Sequence, residues 1–89
     1  VTDPYIDHDL GDGLTHRYFQ GTVEELDLIW HRDEKDREVR VVRSNNWQFQ
    51  FDNELPFTLK EGNIINISAM VYHRIIKGSG ALELMIQEK

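Results

Sequence analysis

Apolar and polar residues alternate with a period of two along much of this chain. Trp47, Phe49 and Phe51 alternate with Gln48 and Gln50. Side chains two residues apart leave the same face of a strand, so residues 47–51 are expected to form a strand with an aromatic inner face. Near the carboxyl end, Leu82, Leu84 and Ile86 alternate with Glu83 and Met85, which predicts a strand over residues 81–87. Residues 38–44 carry the β-branched run Val39, Val41 and Val42, and residues 64–68 and 71–76 are short β-forming segments. Residues 15–20 and 55–60 read as further short strands, with Pro56 suggesting an edge or a strand start. Residues 22–31 hold Val23, Leu26, Leu28, Ile29 and Trp30. Glu24 and Glu25 could start a helical turn there, but the segment lacks a sustained 3.6 period and strand is preferred.

Turn signals separate these segments: Gly21, the charged stretch 32–37, Asn45-Asn46, Asp52-Asn53-Glu54, Glu61-Gly62-Asn63 and Gly78-Ser79-Gly80. Eight or so short strands between turns predict an all-β fold, a small antiparallel β-barrel or jelly roll. Residues 1–14 are rich in Asp and contain Pro4, Gly11 and Gly13, so they are expected to be an irregular amino-terminal arm before a single domain over residues 15–89. His8, between Asp7 and Asp9 in that arm, reads as a solvated histidine. No internal repeat or second domain is visible.

Composition narrows the function classes. Eighty-nine residues with 39% hydrophobic content fill one small core. The formal charge is −6, which repels phosphate backbones and anionic lipid, so neither nucleic acid nor membrane is expected as a partner. There are no cysteines, which excludes thiolate metal sites and thiol nucleophiles and suits a reducing compartment, so a cytoplasmic location is expected. No signal-peptide pattern and no apolar run of membrane-spanning length are visible.

The chemistry-bearing residues concentrate between positions 25 and 73. His31 and Asp33 are two apart and share a face of an extended chain. Glu38 opens the β-branched run, and His73 sits among Val71, Tyr72, Ile75 and Ile76. Two imidazoles with one or two carboxylates suit a divalent ion. For Asp33 three roles stay open: ligand, supporting group, or one more acid of a charged loop. If Glu38 points inward, so does Arg40, which could clamp a substrate carboxylate through two parallel hydrogen bonds or pair with a nearby acid. Gln48 and Gln50 could line the cavity or form the solvent face. Trp30 and Tyr72 read as packing or interface residues, and Val39, Val41 and Ile76, if left outside, would suit a dimer sheet.

The spacing of these residues resembles the two motifs of the cupin superfamily. The first cupin motif runs Gly, five residues, His, one residue, His, three or four residues, Glu, six residues, Gly. Here the same places hold Glu25, His31, Asp33, Glu38 and Asn45. The second motif runs Gly, five residues, Pro, one residue, Gly, two residues, His, three residues, Asn; here those places hold Gly62, Ser68, Met70, His73 and Lys77. Asp33 stands for the second histidine, and some cupin dioxygenases of the 3-hydroxyanthranilate type look similar in keeping an acid there. The resemblance spans about residues 22–87. It implies a small β-barrel, commonly dimeric, with a metal inside one mouth: iron(II), or manganese, nickel or zinc. His31, Glu38 and His73 would be the ligands, with Asp33 as a fourth, and Arg40 and Gln48 would contact a small-molecule substrate. The expected function is an iron(II)-type dioxygenase acting on a small carboxylate-bearing compound. A non-catalytic ligand-binding or interaction module and an isomerase or epimerase are the alternatives.

Overall fold

A computed structural model describes residues 3–89. Eight strands follow in order: β1 (Ile6–Gly11), β2 (Leu14–Phe19), β3 (Arg37–Arg43), β4 (Gln48–Phe51), β5 (Phe57–Thr58), β6 (Ile64–Ile67), β7 (His73–Ile76) and β8 (Leu82–Glu88). They form two antiparallel sheets. One has five strands in the order β1-β2-β8-β3-β6, the other three in the order β5-β4-β7. The fold is thus a jelly roll of two facing sheets rather than a closed barrel.

The core lies between the sheets because both inner faces are apolar. From the large sheet come Phe19, Val39, Val41, Ile65, Ile67, Leu82, Leu84 and Ile86; Trp47, Phe49 and Leu59 come from the small sheet and its flanks. Trp47 and Leu82 are completely buried. Each such side chain contributes roughly 2–3 kcal/mol by leaving water. The aromatic face expected over residues 47–51 is formed, with Phe49 and Phe51 ring centroids 4.9 Å apart.

Strand β8 sets the facing of its neighbours. Residues directly opposite in an antiparallel pair share a face. Ile86 lies opposite Val39, and Leu84 opposite Val41, so both valines point into the core. Val39 and Val41 therefore do not form an outer dimer surface, contrary to the expectation from sequence. Ile76 is half-buried.

Two other segments depart from the pattern reading. The lead-in expected to be irregular contains β1, which pairs with β2 from Ile6↔Tyr18 to Gly11↔Leu14. It is exposed along its whole length, so burial periodicity could not announce it. The β-hairpin turns at Asp12, where φ is +53°, between Gly11 and Gly13, which also have positive φ. Conversely, residues 22–31 form no strand. They run as a loop with a 3-10 turn at Glu25–Asp27, leaving Leu26 90% exposed and joining the sheets only through His31. The helical-turn alternative at Glu24-Glu25 was the one nearer to the observed structure.

At one end of the sandwich the chain passes close to itself. A Cβ added to Gly78 would lie 2.6 Å from the Trp47 amide nitrogen, against backbone that cannot move aside without disturbing the fully buried Trp47. Trp47 Nε1–H also donates to the Gly80 carbonyl at 2.7 Å. Gly78→Ala is expected to destabilise the fold by about 3 kcal/mol or more, measured by urea unfolding.

Candidate metal centre

Two backbone hydrogen bonds build the site. The His31 amide donates to the His73 carbonyl at 3.0 Å, and the His73 amide donates to the His31 carbonyl at 2.9 Å. One residue of the long loop is thereby stitched to the first residue of β7. The imidazoles meet edge to face with centroids 4.3 Å apart. His73 is buried, and its other side is covered by Phe49, whose ring stacks at 5.5 Å. Asp33 follows two residues after His31 and is anchored by the Met70 amide, which donates to its carbonyl at 2.7 Å. Met70 turns the chain at φ +67°, the left-handed conformation that the glycine of the second motif would adopt more readily.

Hydrogen bonds fix which ring nitrogen carries the proton. Nδ1 of His31 is 3.1 Å from the Ile29 carbonyl, and Nδ1 of His73 is 2.8 Å from the Val71 carbonyl. A carbonyl oxygen only accepts, so each Nδ1 must donate. In the neutral rings both Nε2 atoms then hold bare lone pairs, the arrangement that metal-ligating histidines use. Burial, above all, keeps His73 below its ordinary pKa. The Val71 carbonyl pulls the other way, the His31 and Arg37 charges push further down, and Asp33 pulls up. The ring is neutral near pH 7.

Asp33 completes the set. Its Oδ1 is ion-paired with Arg37 Nη1 at 3.2 Å. Its Oδ2 lies 3.3 Å from His73 Nε2 but is buried and has no hydrogen-bond donor among the described residues. A buried carboxylate oxygen facing an unprotonated ring nitrogen is unfavourable, and leaving such a polar atom unmet costs about 1–3 kcal/mol. A cation between them would relieve it. Ligand atoms of His31, Asp33 and His73 all lie within 4.8 Å of one another. Two imidazole nitrogens and a carboxylate oxygen are a donor set that fits a divalent ion.

Glu38 and Arg40 are not brought to this cluster. Glu38 lies opposite Gln87 and Asn66, and Arg40 opposite Met85 and Ile64, on the outer face of the large sheet. Glu38 pairs there with Lys89 at 3.6 Å. The physical reason is parity: turning Glu38 and Arg40 inward would expose Val39 and Val41, which are buried. Gln48 neighbours the inward Phe49 and so faces away from the core, opposite Thr58 and Ile76. The inward residue at the start of β3 is Arg37, which sequence reading did not single out. It occupies the cupin carboxylate place if three residues rather than four are counted after Asp33. Its Nη2 donates to Glu88 at 3.0 Å. Counting inward from buried Val39 by twos would have found it. Trp30 and Tyr72 are partly exposed and lie under the guanidinium groups of Arg74 and Arg32, at 4.7 and 5.2 Å.

From the cluster a cavity of about 320 Å³ runs outward past Arg17, Phe19, Leu28 and Tyr5. Its size suits a small organic molecule.

No protein-family model matches the sequence, and no curated protein matches it. Solved structures do resemble it. An RmlC-like cupin family protein with a double-stranded beta-helix fold from Methanocaldococcus jannaschii superposes with a TM-score of 0.72 at 15% identity, covering 98% of this chain and 82% of that one. Fe(II)-HppE with the alternative substrate (S)-1-HPP gives 0.75 at 16% identity, covering 99% of this chain and 51% of its own. A chain from crystal structures of the DMSP lyases RdDddP and RnDddQII gives 0.72 at 17% identity, covering 85% and 37%. This chain thus spans about half of HppE and little more than a third of the lyase chain.

The depressed pKa of His73 sets a direction for stability. The folded state binds fewer protons than the unfolded chain, whose histidine titrates near 6.5. The contribution is fully present above that value and is lost as pH falls through the lower folded pKa. For chelated protein, the thermal midpoint is expected to drop between about pH 7.5 and pH 5.5. The drop should be smaller in His73→Gln, as followed by circular dichroism.

Proposed function

We propose that this chain, which has the cupin fold, is a metal-dependent enzyme whose ion is held by His31, Asp33 and His73. The observation that carries the reading is that ligand atoms of His31, Asp33 and His73 lie within 4.8 Å of one another, with His73 Nε2 3.3 Å from a buried Asp33 oxygen that has no hydrogen-bond donor among the described residues. Two histidines and one carboxylate form the donor set of non-haem iron(II) oxygenases, and a reaction of that class, a dioxygenation of a small carboxylate-bearing compound, is the activity we assign. Bound iron(II) would supply open coordination positions where substrate and oxygen are brought together. The protein's own residues do the rest. The Ile29 and Val71 carbonyls hold both rings in the ligating tautomer. Arg37 orients the Asp33 carboxylate through an ion pair at Oδ1, leaving Oδ2 to the ion. Phe19, Phe49 and Ile75 line the inner cavity with apolar surface that limits water.

That HppE in its iron(II) form has this fold supports the choice of metal class. The molecule would work as a homodimer in the cytoplasm. Among the described residues no helix is long and apolar enough to cross a membrane.

After loading with iron(II) or manganese(II) and desalting, the protein is expected to retain about one ion per chain, measured by elemental analysis. His73→Ala should abolish retention and Asp33→Asn should weaken it by roughly tenfold or more. Glu38→Gln should leave it unchanged. Retention that depends on Glu38 and not on Asp33 would overturn the assigned set.

A further inference from the structure

We propose that Arg17 is the residue that receives the anionic end of the molecule bound in the cavity; this rests on the metal reading above. Arg17 points inward from β2, opposite Leu84 of β8, and its side chain is only 15% exposed. It lines both the outer cavity and the inner pocket that holds His31, Asp33 and His73. A buried guanidinium keeps its charge, so it needs anionic partners.

Arg17 is held in place on one edge and open on another. Nε and Nη2 donate to the two Asp7 carboxylate oxygens at 2.8 and 2.9 Å. The Tyr5 ring covers one face, 3.7 Å from the guanidinium carbon, and packs on Phe19 at 5.4 Å. Nη1 has no hydrogen-bond partner among the described residues. Asp7 and Tyr5 thus fix a planar fork with donors to spare, which is what bidentate capture of a carboxylate requires. Arg37 is differently placed: its two terminal nitrogens are in ion pairs with Asp33 and Glu88, and only its buried Nε, which cannot form a fork by itself, is without a partner among the described residues.

Asp3 and Asp27 stand at the cavity rim, exposed to water, where screening weakens their repulsion of an anion. Between Arg17 and the histidines the wall is apolar, formed by Phe19 and Ile75. The occupant is a short monocarboxylate with an apolar body, its charged end at Arg17 and its other end toward the metal.

The test is calorimetric titration of the manganese(II)-loaded protein with butyrate and with its neutral isostere butyramide. Metal content is measured on every sample. Butyrate is expected to bind at least tenfold more tightly than butyramide. Arg17→Gln should weaken butyrate by roughly tenfold to a hundredfold at unchanged metal content, with Arg17→Lys between the two. Equal binding of butyrate and butyramide, no binding of either, or full butyrate affinity in Arg17→Gln would overturn the role of Arg17 and leave the metal reading standing. Loss of metal from the wild-type protein itself would overturn the metal reading and this proposal with it. The butyrate–butyramide comparison needs no variant, so poor folding of Arg17→Gln would not protect the idea.

Discussion

The facing of strand β8 is the constraint on which the rest of the structure depends. Leu82, Leu84 and Ile86 enter the core that also holds Trp47 and Phe49. Backbone pairing then carries that choice sideways. It turns Arg17 inward on β2 and Arg37, Val39 and Val41 inward on β3, while Glu38 and Arg40 go to the outer face. A slip of one residue would reverse every one of these. The cavity's two guanidinium groups are therefore a by-product of packing Leu82, Leu84, Ile86, Val39 and Val41 correctly.

The second organising feature is the pair of backbone bonds between His31 and His73. The loop that carries His31 has little core of its own: Leu26, Ile29 and Trp30 are all substantially exposed. Val23 and Leu28 pack against the core, and backbone hydrogen bonds, at His31 to β7 and at Asp33 to Met70, fix the end of the loop. The Asp36 carboxylate adds a third tie, accepting from the Ala69 amide at 2.7 Å. An ion bound by His31, Asp33 and His73 would join this loop to the small sheet. Metal binding and ordering of the loop are then coupled, as expected for ligands that come from separate elements.

These two features divide the labour at the site. Rigid strands supply His73, Arg17 and Arg37, and a tethered loop supplies His31 and Asp33. Arg37 links the halves, since it reaches from β3 to Asp33 on one side and Glu88 on the other. With a guanidinium inward at the start of β3, Asp33 is the one carboxylate of the cluster it forms with His31 and His73.

The sequence by itself determined the all-β class, most of the strand segments, the aromatic inner face at residues 47–51 and the spacing of His31, Asp33 and His73. Those follow from local periodicity and turn chemistry, which are written in neighbouring residues. It did not reveal β1, because a fully exposed edge strand has no burial pattern to read. It misread residues 22–31, whose apolar content suggested a strand that the tertiary structure leaves as a loop. Above all, it could not decide which face of residues 37–43 is inward. Glu38 and Arg40 alternate with Val39 and Val41, and alternation defines two faces without saying which is inside. Only pairing against Ile86, Leu84 and Ile65 decides that, because burying Val39 and Val41 is favoured over burying Glu38 and Arg40. The tertiary structure brings His31, Asp33 and His73 together and leaves Glu38 on the outer face, and it puts Arg17 and Arg37 in the cavity where Arg40 had been expected.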